Sequence, residues 1–234
     1  MVVKKQVKLN LKYERKANKM DLTAFFKLTY GLYVVSTHNN GRDAGCIVNT
    51  VTQVTAQPPR LAVAVNKQNT TAKWMIESGC FAATALTQTA DMELIGKFGF
   101  QSSAEVEKFA GFETGRDALG LPYLKEHAAA HFSCKIVDKI DLGTHWLFIG
   151  EVVEAEKLLE EEPLTYSYYH SVLKGGTPKT APSYKGEEIS QEPAPAQVKR
   201  WRCSVCGYVY EGEQLPDDFT CPWCGQGADK FVPA

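Results

Sequence analysis

"GCIVNTVTQVTAQPPRLAVAVNKQNTTAKW", residues 45–74, is the stretch whose reading decides the fold of the larger part of the chain. Its first eleven residues are dense in β-branched side chains and read as one strand over 45–55. Pro58 and Pro59 stop it, because proline has no N–H to give to a ladder. A second strand follows over 60–67. Spacing then turns helical in "TTAKWMIESG" (70–79), with Thr70 as the expected N-cap and Gly79 as the stop.

The pattern continues on both sides. Upstream, "YGLYVVST" (30–37) reads as a strand ending at "HNNGRD", whose Asn40-Gly41 is a hairpin signal. Downstream, "FAATALT" (81–87) reads as strand and "ADMELIGKFG" (90–99) as helix. "AHFSCKIVDKIDLG" (130–143) and "THWLFIGEVVEAEKLL" (144–159) form a long antiparallel pair around Asp141-Leu142-Gly143. Many short strands with two brief helices predict a mainly β chain closed into a barrel rather than a βαβ sheet.

Composition narrows the function. The 234 residues are 44% hydrophobic, with no apolar run near the ~20 residues of a membrane helix. The opening twenty residues carry seven Lys or Arg against Glu14 alone and lack the apolar core of a secretory signal, so they read as a solvated face or edge strand. A net charge of −1 gives no footprint for nucleic acid. Seven cysteines, four of them paired, fit a reducing cytoplasm. Cys46, Cys80 and Cys134 stand singly in apolar stretches and read as small buried hydrophobes.

After Leu173 the composition changes. Residues 174–199 hold four of the eleven prolines and only Ile189 and Val198 as large aliphatics, so they cannot bury enough apolar area to fold alone. They read as a linker between a domain over 1–173 and a module over 200–234. As a random coil it would span about 28 Å.

The module carries "CSVCGYVYEGEQLPDDFTCPWC" (203–224), two C-x-x-C pairs with fourteen residues between them. Thirty-five residues are too few to stabilise a core without a cross-link, so a metal is close to obligatory for folding. Four thiolates suit zinc or iron equally, and the spacing lies next to the ~15 to 20 residues of many zinc sites. The surroundings favour iron. Six aromatics (Trp201, Tyr208, Tyr210, Phe219, Trp223, Phe231) supply an apolar shell that can tune a redox potential. Gly207 and Gly225 each follow the second cysteine of a pair, where backbone N–H groups can turn toward sulfur and stabilise a reduced state. Zinc has no redox state to tune. "W-R-C-x-x-C-G-Y-V-Y … P-D-D-F-x-C-P-x-C-G … F" resembles rubredoxin with a shortened middle segment. That resemblance implies one iron per chain, ligated by Cys203, Cys206, Cys221 and Cys224 and passing single electrons.

The larger domain has no G-x-G-x-x-G, Walker loop or Ser/His/Asp pattern. "VNKQNTTAKW" offers a phosphate candidate at a helix N-terminus, from Lys67, Asn69, Thr70 and Thr71. On those letters alone, Thr70 simply capping its own helix accounts for them better. As a whole, the order of strand pair, double proline, polar turn and Gly-x-His strand over residues 20–170 resembles the flavin reductase family with its FMN-binding split barrel. The resemblance implies that Asn49, Thr50, Val51 and Thr52 lie against the flavin ring and that the phosphate sits in the Lys67–Thr71 turn. It implies that Lys97, Phe98 and Gly99 border the flavin, and that His145 serves as the catalytic histidine near the nicotinamide. Here Gly143-Thr144-His145 replaces the family's Gly-Asp-His, and a satisfied strand histidine is the plain alternative. The other histidines show no pattern. The resemblance also implies a homodimer and a relay from NADH through FMN and iron to a flavodiiron-type protein that reduces nitric oxide or dioxygen. Two other readings remain at this level: a reductase releasing free reduced flavin beside a structural zinc module, and a flavin- and metal-binding adaptor with little turnover.

Overall fold

The computed structural model describes residues 21–173, 175–176, 200–212 and 214–233. The basic opening and, apart from Gly175 and Gly176, the linker lie outside the described residues.

β1 (Tyr33–Asn39) and β2 (Arg42–Val48) form the expected hairpin, in register from Tyr33↔Val48 to Asn39↔Arg42. Asn40 and Gly41, at φ 49° and 75°, make the left-handed turn that matches strand twist. The strand expected unbroken over 45–55 is in fact two. β2 ends at Val48 and β3 (Thr52–Ala56) begins after a gap at Asn49, Thr50 and Val51. β3 pairs with β4 (Pro59–Asn66), and β5 (Cys80–Leu86), β8 (Ala128–Asp141) and β9 (His145–Lys157) complete a seven-stranded sheet. Its order is β2-β1-β5-β8-β9-β4-β3. The two ends of the row are thus consecutive in the chain, which forces the sheet to curl on itself until β2 touches β4.

The gap has a side-chain closure. Thr50 stands where the β3–β4 register would place a partner for Ala64, but its hydroxyl makes the bonds instead of its backbone. Thr50 Oγ1 donates to Ala64 O at 3.0 Å and accepts from Ala64 N at 3.2 Å. Periodicity cannot report such a break, since the β-branched residues run straight through it.

α1 (Thr70–Ser78) follows β4. The expected cap is corrected by one residue: Asn69 is the N-cap, extended at φ −72° and ψ 132°, with its side chain accepting from Thr71 N at 2.9 Å. Asparagine caps as well as threonine does, and the helix starts one residue earlier than read. Gly79 ends it at φ 71° as expected. α2 (Met92–Phe100) is capped by Asp91, which accepts from Leu94 N. Its C-terminal carbonyls meet Lys108, a buried lysine whose ammonium donates to Lys97, Phe98 and Gln101 O. A cation there matches the negative end of the helix. Burial, opposed by Cys46 and reinforced by Lys97, pushes the Lys108 pKa down to about 8.

Three short elements were not legible in sequence: β6 (Thr114–Arg116), β7 (Pro122–Leu124) and α3 (Tyr166–Ser171). "YSYYHS" has poor intrinsic helicity. α3 is held instead by the buried Tyr169 and by Thr165, which caps it and bridges to Gly31. One core cluster, including Val35, Val63, Met75, Phe81 and Phe148, fills the barrel; another, including Leu94, Ile95, Phe98 and Leu164, lies beneath α2. Cys46 and Cys134 are buried and Cys80 is half-buried.

The C-terminal module forms a three-stranded sheet in the order β11-β10-β12, from β10 (Arg200–Cys203), β11 (Val209–Glu211) and β12 (Phe231–Pro233).

Candidate functional site

A cleft with a cavity volume of about 80 Å³, partly open to solvent, lies where the barrel splits. Cys46 to Asn49 form one bank and Ala64 to Asn66 the other, with Asn69, α2, α3 and His145 closing the ends.

Of the residues expected against the flavin, Asn49, Asn69, Gly99 and His145 line the cleft. The others have different surroundings. Thr50 is engaged with Ala64 across the split, Val51 packs on the barrel core, and Thr52 is exposed on β3. Lys67 pairs with Asp141, and its ammonium lies 4.4 Å from the Trp146 ring centroid. Thr70 Oγ1 is 3.4 Å from Ser102 Oγ, at the half-buried start of α1. Thr71 is fully buried beside the Cys46 thiol, which burial raises to about 11. Lys97 reaches Ala110 O and lies over Phe112, while the Phe98 ring packs edge-on against Phe109 in the core. The Thr71 and Phe98 side chains therefore support the cleft from below.

His145 faces Asn66 across β9 and β4. Its Nδ1 lies 2.9 Å from Thr144 Oγ1, so the threonine that replaces an aspartate at this point holds the ring. Asp141 sits at the same turn, accepting from Gly143 N and from Lys67. Its carboxyl is held below the usual range by Lys67 first and the Gly143 N–H second.

Sequence reasoning did not find Cys46, Asn66, Ile95, Phe100, Tyr166 or Tyr169 as cleft residues. The only local sign was the aromatic run "TYSYYH" just before the linker.

The four cysteines of the module are buried, and their sulfurs lie within 4.8 Å of one another. Cys203 and Cys224 Sγ are 3.7 Å apart, and Cys206 and Cys221 Sγ 3.4 Å apart. A tetrahedral ion with metal–sulfur bonds of about 2.3 Å would set that edge near ~3.8 Å, so the sulfurs fit a metal. The two cysteine loops repeat one design. Gly207 N donates to Cys203 O and Gly225 N to Cys221 O, both at 2.9 Å, with φ of 83° and 71°. Those left-handed turns aim the next backbone N–H groups at sulfur: Tyr208 at Cys206 and Gln226 at Cys224. Burial tends to raise the Cys203 thiol, but the N–H groups of Cys206 and Val205, together with the Cys206 and Cys224 thiols, hold it low. Burial raises Cys206, and raises Cys224 to about 12. Phe219, Tyr208 and Phe231 pack around the cluster, their centroids 5.3 to 6.3 Å apart.

A β-barrel with a cleft at its split, carrying a buried four-sulfur module, has the architecture of an oxidoreductase with a rubredoxin-like extension. The chain belongs to the flavin reductase family: the flavin reductase like domain matches residues 25–175, and the rubrerythrin, rubredoxin-like domain matches residues 201–232. It is 40% identical over 227 residues to the high molecular weight rubredoxin of Moorella thermoacetica, covering 91% of this chain and 99% of that one. Over 165 residues it is 47% identical to a ferric-chelate reductase (NAD(P)H) of Archaeoglobus fulgidus, covering 70% of this chain and 98% of that one. Among solved structures, flavin reductase PheA2 superposes with a TM-score of 0.54 at 28% identity, over 62% of this chain and 93% of the other. The expectation of a mainly β barrel joined to a rubredoxin-like module therefore holds.

Proposed function

We propose that the chain takes electrons from NADH, passes them through FMN to a rubredoxin-type iron, and delivers them to a protein acceptor of the flavodiiron nitric oxide or oxygen reductase class. The observation that carries this reading is the presence, in one chain of the flavin reductase family, of a cleft at the split of the barrel and a buried four-sulfur centre. Bound flavin accepts two electrons from a nicotinamide and releases them singly, and a four-thiolate iron carries one at a time.

The protein's residues position and tune. The start of α1, with the Thr70 N–H ahead of the Thr71 N–H that Asn69 caps, gives one helix terminus for one phosphate, which suits FMN rather than a dinucleotide. Asn49 and the backbone of the split orient the ring, and His145, held by Thr144, stands where a nicotinamide would approach. The turned N–H groups after Gly207 and Gly225 would favour the more negative, reduced state of an iron.

We divide the chain into a flavin domain over 1–173, a linker over 174–199 and a metal domain over 200–234. Val137, Ile140, Leu142 and Val153 are exposed on the β8–β9 hairpin and its turn, which supports a homodimer through that ribbon. The seven cysteines are all free thiols, consistent with a reducing cytoplasm, and no described helix is long and apolar enough to cross a membrane.

The test is metal analysis with a visible spectrum before and after anaerobic NADH. One iron per chain, with its charge-transfer colour bleached by NADH, is expected; stoichiometric zinc from iron-replete cells refutes the relay. In that case the second reading stands, a reductase supplying reduced flavin or another small acceptor. It is favoured by the match to nearly the full length of a protein described as a ferric-chelate reductase.

A further inference from the structure

The sulfur module is seated against the mouth of the cleft, and two glycines make the seat. On α2, Gly96 lies under the backbone of Trp223, the residue before Cys224. A Cβ at Gly96 would stand 3.0 Å from Trp223 Cα and 2.9 Å from its carbonyl carbon, and closer still to the carbonyl oxygen. At the head of the linker, a Cβ on Gly176 would meet Cys206 O at 2.7 Å and Cys206 C at 3.4 Å. Both contacts are with backbone, which cannot swing aside as a side chain can.

Two aromatic rings join cleft to module at the same place. Phe100, the last residue of α2, lines the cleft and packs against the cysteine cluster. Tyr169 lines the cleft, and its hydroxyl donates to Gly176 O at 2.9 Å, while His170 Nδ1 lies 2.9 Å from Gly175 O. α3 thereby holds the first linker residues against the Cys206 loop. Gly96 also needs a reason of its own. A glycine inside a helix costs about 1 kcal/mol relative to alanine, so the barrel alone would be better served by alanine there. The three atoms nearest the missing Cβ all belong to the module's backbone, at Trp223.

We propose that this seat is the electron-transfer position of the module, with Gly96 and Gly176 as its positioning residues. It sets the Cys206 loop and the backbone just before Cys224 against the barrel, beside Phe100 and Tyr169, which line the cleft. This rests on the relay reading. One electron crosses at a time: reduced flavin is oxidised by one equivalent and ferric iron becomes ferrous. NADH supplies two electrons per turnover, and the protein acceptor removes each from iron, so no atom crosses the seat.

The test uses the full chain, loaded with flavin and iron, as Gly96→Ala and Gly96→Gln. Backbone amide exchange of residues 92–100 reports the seat without reference to activity. Gly96→Gln is expected to raise exchange there at least tenfold and to slow iron bleaching by NADH at least tenfold, with Gly96→Ala between it and wild type. Flavin content and NADH oxidation with a small soluble acceptor should stay at the wild-type level. Gly176→Val, in the linker head and outside both folded cores, should release the same amides. Wild-type exchange in both Gly96→Gln and Gly176→Val overturns the seat. Released amides with unchanged bleaching overturn its role in electron transfer. Iron that NADH cannot reduce even in wild type overturns the relay instead, and the exchange data then judge the seat alone.

Discussion

Thr50→Val removes one oxygen from the split of the barrel and keeps the side-chain shape. In the wild type that hydroxyl satisfies both Ala64 O and Ala64 N, at 3.0 and 3.2 Å. Valine leaves a half-buried donor and acceptor on β4 without partners, each costing about 1–3 kcal/mol when water is excluded. Because Ala64 keeps partial access to solvent, the lower end applies to each, and a total of about 2–3 kcal/mol is expected. At about 2–4 °C per kcal/mol for a domain of this size, the barrel's melting temperature should fall by roughly 5–10 °C. The same change loosens Asn49 against Ala64, the two banks of the cleft, so flavin affinity should fall about tenfold, equivalent to ~1.4 kcal/mol. Thermal unfolding followed by far-ultraviolet circular dichroism and titration by flavin fluorescence quenching measure the two effects. Thr50→Ser keeps the hydroxyl and should stay near wild type in both. If valine melts and binds flavin like the wild type, the hydroxyl does not close the barrel and the account of the split is wrong.

Thr144→Val should free the His145 ring and lower NADH turnover several-fold with little change in flavin content, as steady-state kinetics would show; equal kinetics would leave His145 a plain strand residue. Gly207→Ala places a Cβ at φ 83°, costing about 1–2 kcal/mol, and displaces the Tyr208 N–H from the Cys206 sulfur. Losing about 1 kcal/mol of N–H···S stabilisation in the reduced state should lower the iron potential by about 40 mV, measurable by spectroelectrochemistry. Lys108 is held near 8 in the folded chain against an ordinary 10.5, so between those values the unfolded chain binds more protons and folding gains stability as pH rises. Lys108→Met lacks that gain, and the stability gap between wild type and variant should shift toward wild type from pH 8 to 10 in denaturant titrations. The raised Cys134 thiol pulls the other way above pH 9 in both proteins and so cancels in the comparison, whereas Cys46, which Lys108 lowers, rises further in the variant and adds to the gap in the same direction.

The sequence by itself determined the features whose physics is local. Asn40-Gly41 requires left-handed backbone, and the hairpin sits there. Two C-x-x-C pairs, each followed by glycine, pointed to a metal module, because thirty-five residues are too few for a stable core without a cross-link. The helices around 70–79 and 90–99 were legible from periodicity and a cap within a residue or two. The tertiary structure alone decided where the sheet breaks, since "VNTVT" has strand chemistry throughout and the break at 49–51 is set by which strand edges remain free. Likewise it turned the Thr71 and Phe98 side chains into supports, brought Lys108 under the end of α2, and set the module on Gly96. Those outcomes depend on partners far along the chain, up to 127 residues away between Gly96 and Trp223. A contact of that range marks the sequence only as one glycine inside a helix, which local propensity records as a defect and the folded chain requires as clearance.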